Sequence, residues 1–134
     1  MSDGFTIGPR PRRLLLAANA VFLLVASAGG FVADLVGAFT GAGPQGAVLR
    51  AVPDAAIGFV EAHGLAFILG VLLWRAEPVR SWHLTAFAIH VLLGTSNLVF
   101  WQLFITGNML VVGYVTTILH VMFASLQLGA ALFA

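Results

Sequence analysis

The chemistry available to this chain lies in a few polar side chains set within long apolar runs. Glu61 and His63 stand two residues apart in the segment Gly58–Gly70, which is otherwise apolar. His90 and Asn97 are seven residues apart in the next apolar run, and His120 and Gln127 are seven apart in the last. Asp34 lies near the end of the first such run. An ionisable group at membrane depth is costly to bury, so each marks a candidate site. Neutral imidazole is an axial ligand for haem iron, and chains of Glu, Asp and His carry protons through membranes.

The composition says what must position these groups. Hydrophobic residues make up 60% of the 134 and charged residues 8%, too few charges to cover a soluble domain. All six basic residues are arginine and the net charge is +1, so no nucleic-acid partner is expected; the solvent for the apolar faces is the lipid bilayer. The chain has no cysteine, which removes disulfides, thiolate metal sites, iron–sulfur clusters and thiol catalysis. No phosphate loop, Ser-His-Asp layout or His-Glu-x-x-His signature is present. A single transmembrane domain covering residues 1–134 is expected.

Four helices follow from the apolar runs, over about residues 14–39, 55–74, 81–104 and 109–133, each long enough to cross about 30 Å of hydrocarbon. Residues 1–11 read as a tail. Arg12-Arg13, the following apolar run and Ala26-Ser27-Ala28 resemble a secretory leader, but the apolar pattern continues to Phe39 and predicts a retained helix. Residues 40–54 are the longest connection, with a short interfacial helix expected over Gln45–Val52. Arg75–Arg80, with Pro78, ends the second helix, and Thr106-Gly107-Asn108 is a turn. Arg10, Arg12, Arg13, Arg75 and Arg80 fall on one side and Arg50 on the other. The predicted fold class is therefore all-α: an integral membrane four-helix bundle running up-down-up-down, with both termini cytoplasmic, in the inner (cytoplasmic) membrane.

At about 100° per residue, the polar side chains of each helix line up with small residues. His83, His90 and Asn97 share one stripe, Gly113, Thr116, Thr117, His120 and Gln127 another, and Asn19, Ala26, Gly30 and Gly37 a third, with Asp34 to one side. Lipid cannot solvate such stripes, so they face inward and form a polar interior that is expected to include Glu61, Asn97, Asp34 and Gln127. Glu61 leaves its helix about 160° from His63. It is expected either at a helix seam, reaching Asp34, Asn97 or Thr116, or against another protein. His83, close to Arg80 and Trp82, is expected at the membrane interface.

Counting from the outer helix ends puts His63 about 12 Å and His120 about 17 Å deep, on diagonal helices. That layout suits clamping the iron of haem b, with His63 and His120 as the ligands and His90 as a replacement for either. With Glu61, His63 and His120 it resembles in layout one four-helix half of the haem A synthase type, which carries a Glu and a His on its second helix and a His on its fourth. That family has a longer Glu–His spacing and about twice this length. The resemblance implies haem ligation by His63 and His120. Beside it stand a small-molecule-binding accessory subunit whose histidines pack the interior, a non-haem metal at His63, His90 and His120, and a small transporter or proton-conducting oligomer using Glu61, Asn97 and the histidines. Partners expected are other membrane subunits or further copies of the chain.

Overall fold

The computed structural model describes residues 6–134, which form an all-helical structure, 85% helix, and contain no strand. In order the elements are α1 (Pro9–Thr40), α2 (Gly46–Ala51), a 3-10 turn (Pro53–Ala55), α3 (Ala56–Arg75), α4 (Arg80–Val99), α5 (Trp101–Thr106) and α6 (Leu110–Leu132). The helix starts at Pro9, where a proline in the first turn loses no hydrogen bond, so residues 9–11 of the expected tail belong to α1. Residues 1–5 of that tail lie outside the described residues. The expected interfacial helix is α2.

Three stretches are long and apolar enough to cross a membrane: Pro9–Thr40, Pro53–Arg75 and Leu110–Leu132. On these stretches, side chains such as Val32, Leu65, Val111 and Ile118 are exposed. In water so much apolar surface drives association; in lipid it is solvated, and the chain is a membrane protein. The helix α4 is long enough but carries Arg80, His83, His90, Asn97 and several Ser and Thr residues, and it is not among the apolar three.

The third expected helix is broken. Phe100 leaves the helical region at φ −102°, ψ 29°, and divides residues 81–104 into α4 and α5. Neither proline nor glycine marks this point. The break lets α5 fold onto α6, with the Phe104 ring occupying the space beside Gly113 where a Cβ would stand. Packing, which local propensity does not report, decides it.

α1 packs mainly on α3 and α4 mainly on α6; α1 also touches α4 and α6 and joins the two pairs. Leu16, Ala20 and Leu23 of α1 form the dry core with Leu73, Ala76 and Ala86. Arg13 donates from its guanidinium to the Ala76 carbonyl at 2.7 Å, and the Ile7 amide donates to Phe133 O at 2.7 Å. The start of α1, the α3–α4 turn and the end of α6 therefore meet at one end. At the other end α1 stops at Gly41, whose φ of 66° is the left-handed cap that glycine adopts without a Cβ penalty. There α2 and α5 touch each other.

Candidate functional site

One run of hydrogen bonds links α1, α4 and α6 through side chains that are all buried. His83 Nδ1 meets Gln127 Oε1 at 2.6 Å, Gln127 Nε2 donates to Asn19 Oδ1 at 2.8 Å, and Asn19 Nδ2 meets His90 Nε2 at 2.7 Å. His90 Nδ1 then meets His120 Nδ1 at 2.8 Å. The direction follows from the donors and acceptors that each group owns. An amide NH2 only donates, so Asn19 donates to His90 Nε2 and the His90 proton sits on Nδ1. That proton is given to His120 Nδ1, which leaves the His120 proton on Nε2. At the far end Gln127 Oε1 accepts from His83 Nδ1–H. His83 Nε2 is then a bare acceptor, and it is buried with no partner among the described residues.

Aromatic rings close over the middle of this run. Phe22 stacks on His90 with centroids 5.9 Å apart, Phe123 stacks on His90 at 5.2 Å, and Phe22 meets His120 edge-on at 5.4 Å. Few competing partners reach the buried groups, so each imidazole is held by its neighbours. The two amides pass on orientation, but they do not readily release protons. The run sets tautomers.

His120 ends the run at the wall of a large cleft. The cleft encloses about 990 Å³ and lies between α3 on one side and α4, α5 and α6 on the other, with α1 behind. Phe22, Phe59, Phe100 and Phe104 give it aromatic walls, and His63, Asn97, Ser27, Thr116 and His120 supply polar groups. Its volume is at the upper end of the range for small-molecule sites. Ile57 and Val25 line it and are also exposed, 68% and 69%, so it is open at the side. Asn97 Nδ2 donates to both Thr116 and Thr117 hydroxyls at 3.1 Å, which fixes its amide between α4 and α6.

His63 is held in a different way. Its Nδ1 lies 2.5 Å from Asp34 Oδ2, and Asp34 is fully buried while the His63 side chain is 32% exposed. A carboxylate on Nδ1 orients the ring and leaves Nε2 for a ligand, the arrangement that surrounds many working histidines. Nε2 rests against Gly30, where any Cβ would collide with the ring. The glycine is there for close approach.

The haem clamp expected from the sequence does not fit this arrangement. Two axial imidazoles must bring their nitrogens to about 4 Å, two metal–nitrogen bond lengths. The His63 ring meets α1 at Gly30 and the His120 ring meets it at Phe22, eight residues away. That is about 12 Å along the helix, not the similar depth expected from counting. The tautomer adds to the mismatch, because His120 Nε2 carries a proton where a ligand needs a lone pair. His90 has both nitrogens engaged, and among the described residues no group of three His, Asp or Glu is placed to hold a metal ion.

Compared with family models, curated proteins and solved structures, the chain gives no match in any of the three. The layout likeness to the haem A synthase type thus has neither a family match nor a fitting geometry behind it.

Two further expectations change. His83, expected at the interface, is fully buried and begins the hydrogen-bonded run. Its neighbours Arg80 and Trp82 suggested an exposed position; the seven-residue spacing to His90 was the signal that it faces inward. Glu61 is exposed on α3 beside Ile57, Leu65 and Ile68, and reaches none of Asp34, Asn97 or Thr116 through a hydrogen bond. Asn19 was placed on an inward stripe without a role, and it proves to be the link between α6 and α4.

Proposed function

We propose that this chain is a multi-pass inner-membrane protein that binds a lipid-soluble small molecule in the cleft between α3 and α4–α6, as an accessory or small-molecule-binding membrane subunit. The observation that carries the reading is the cleft itself: about 990 Å³, open at the side, aromatic, and flanked by His63 and His120 on separate helices. In this reading α4 is the fourth span of an up-down-up-down bundle. Its polar residues turn to α1 and α6, and Leu84, Leu92 and Leu98 remain exposed to lipid. The grouping of Arg13, the α3–α4 turn and the end of α6 at one end supports cytoplasmic termini, because five of the six arginines lie there. Thr40→Cys and Thr106→Cys are expected to react with a membrane-impermeant thiol reagent from outside, and Val79→Cys is not; the opposite pattern reverses the orientation.

Gly29 provides the test of binding. It lines the cleft, and a Cβ added there meets nothing within 4 Å, so Gly29→Phe is expected to occupy the cleft without a clash at the helix backbone. Organic extracts of the purified wild type should contain a lipophilic molecule near one equivalent per chain, absent from Gly29→Phe. Identical extracts from the two sink the reading.

The accessory-subunit part rests on Glu61. A carboxyl exposed on an apolar face of α3 is expensive in lipid and is relieved by a partner helix bearing a donor, from another membrane subunit or a second copy. Cross-linking of Ile57→Cys and Leu65→Cys variants within native membranes is expected to trap that neighbour. Only monomers at every position would remove the accessory role.

A further inference from the structure

The two histidines of the cleft differ in what they offer a ligand. The buried run from Gln127 through Asn19 and His90 leaves His120 with its proton on Nε2, facing the cleft. His120 is thus a fixed donor. His63 is different: Asp34 Oδ2 accepts from its Nδ1–H and leaves Nε2 without a partner that fixes its role. Its Nε2 accepts when the ring is neutral and donates when the ring is cationic. The cleft therefore matches a molecule with an oxygen acceptor at one end and an oxygen at the other that is sometimes an acceptor and sometimes a donor.

The walls narrow the class further. Phe22, Phe59, Phe100 and Phe104 favour a planar ring, and the lateral opening beside Val25 and Ile57 leaves room for an aliphatic tail in the lipid. A ring with para oxygens and a hydrogen bond on each spans about 11 Å between the two nitrogens. The two histidines meet α1 at Gly30 and Phe22, eight residues apart, and so reach the cleft from different levels.

From this juxtaposition we infer that the cleft is a quinone–quinol binding site, with one ring oxygen accepting from His120 Nε2–H and the opposite oxygen at His63 Nε2. The carbonyl of a quinone accepts from the cationic His63 ring, and the hydroxyl of a quinol donates to the neutral one. Asn19 and His90 are positioning residues, acting through His120. The inference rests on the proposed function and names the ligand class of the same cleft.

The test uses the whole chain in phosphatidylcholine nanodiscs, with decyl-benzoquinone and decyl-benzoquinol as probes. Binding is followed by quenching of tryptophan fluorescence, and the carbonyl bonds by infrared difference spectra of ¹³C-labelled quinone. Wild type is expected to bind saturably with one carbonyl stretch lowered by its hydrogen bond. His120→Ala should weaken binding about tenfold and abolish the lowered band, and His120→Gln, which keeps an N–H donor, should restore part of both. Gly29→Phe, which leaves the buried run intact, should not bind. Saturable binding with both carbonyls unshifted overturns the assignment of His120. If extracts hold a different stoichiometric molecule that neither probe displaces, the quinone class is wrong and the cleft reading stands. If neither extracts nor probes distinguish wild type from Gly29→Phe, both fall.

Discussion

His120 and His63 line one cleft from opposite walls, yet the protein holds them by contrasting means. On the α4–α6 side, five side chains from three helices form a buried, directional run in which each polar group depends on the next. On the α3 side there is one pair, Asp34 and His63, partly exposed and backed by a glycine. The first arrangement makes a rigid wall whose hydrogen-bonding sense is set from within the bundle. The second makes a wall whose Nε2 can accept a hydrogen bond or, carrying a proton, donate one, because Asp34 holds only Nδ1. The cleft has one fixed side and one adjustable side.

The largest effect should come from cutting the rigid side. Gln127→Leu keeps the volume but strands the His83 Nδ1–H and the Asn19 carbonyl in a buried site, and should cost about 2–3 kcal/mol of stability in micelles. Ser125→Ala is the control on the same helix, since that hydroxyl is exposed and bonded only to its own turn at Val121. Equal stability in both variants would mean that the run carries no structural weight.

Adjacent glycines probe the adjustable side. Gly30→Ala drives a Cβ into the His63 ring and should separate it from Asp34, at a cost of about 1–2 kcal/mol. Gly29→Ala, one position earlier and facing open space, should stabilise α1 by up to about 1 kcal/mol through helix propensity. Thermal unfolding of the pair decides this; a shift of the same sign in both leaves the close approach without consequence.

A smaller effect is expected between the two walls, at Asn97. Its amide bridges Thr116 and Thr117, and Asn97→Leu should cost about 0.6 kcal/mol, the usual worth of an interhelical hydrogen bond in a membrane. A loss as large as that of Gln127→Leu would place Asn97 in the rigid set. Smallest of all is Glu61→Gln. The side chain is exposed and makes no hydrogen bond or ion pair among the described residues, so the unfolding midpoint of the monomer should not move. A large loss would show a contact within the chain that the structure does not contain.

The amino-acid sequence by itself determined the solvent and the elements. Sixty per cent hydrophobic residues with few charges require lipid, and periodicity put Asn97, Asp34, Gln127, His90 and His120 on inward faces, because a polar group in hydrocarbon must find a partner. It even placed Asn19 and His83 on the right stripes. What periodicity cannot carry is the register of one helix against another. A stripe says which way a side chain points, but sliding a helix by one turn, about 5.4 Å, exchanges every partner across the interface without changing any stripe. Only the tertiary structure decided that His120 pairs with His90 and that His63 pairs with Asp34 against Gly30, eight residues along α1 from the Phe22 that meets His120. It also decided that Phe100 breaks a helix whose local sequence has no breaker, with Phe104 beyond the break packed on Gly113. The residues were legible in the chain. Their pairing, and with it the kind of ligand they suit, was a matter of helix register.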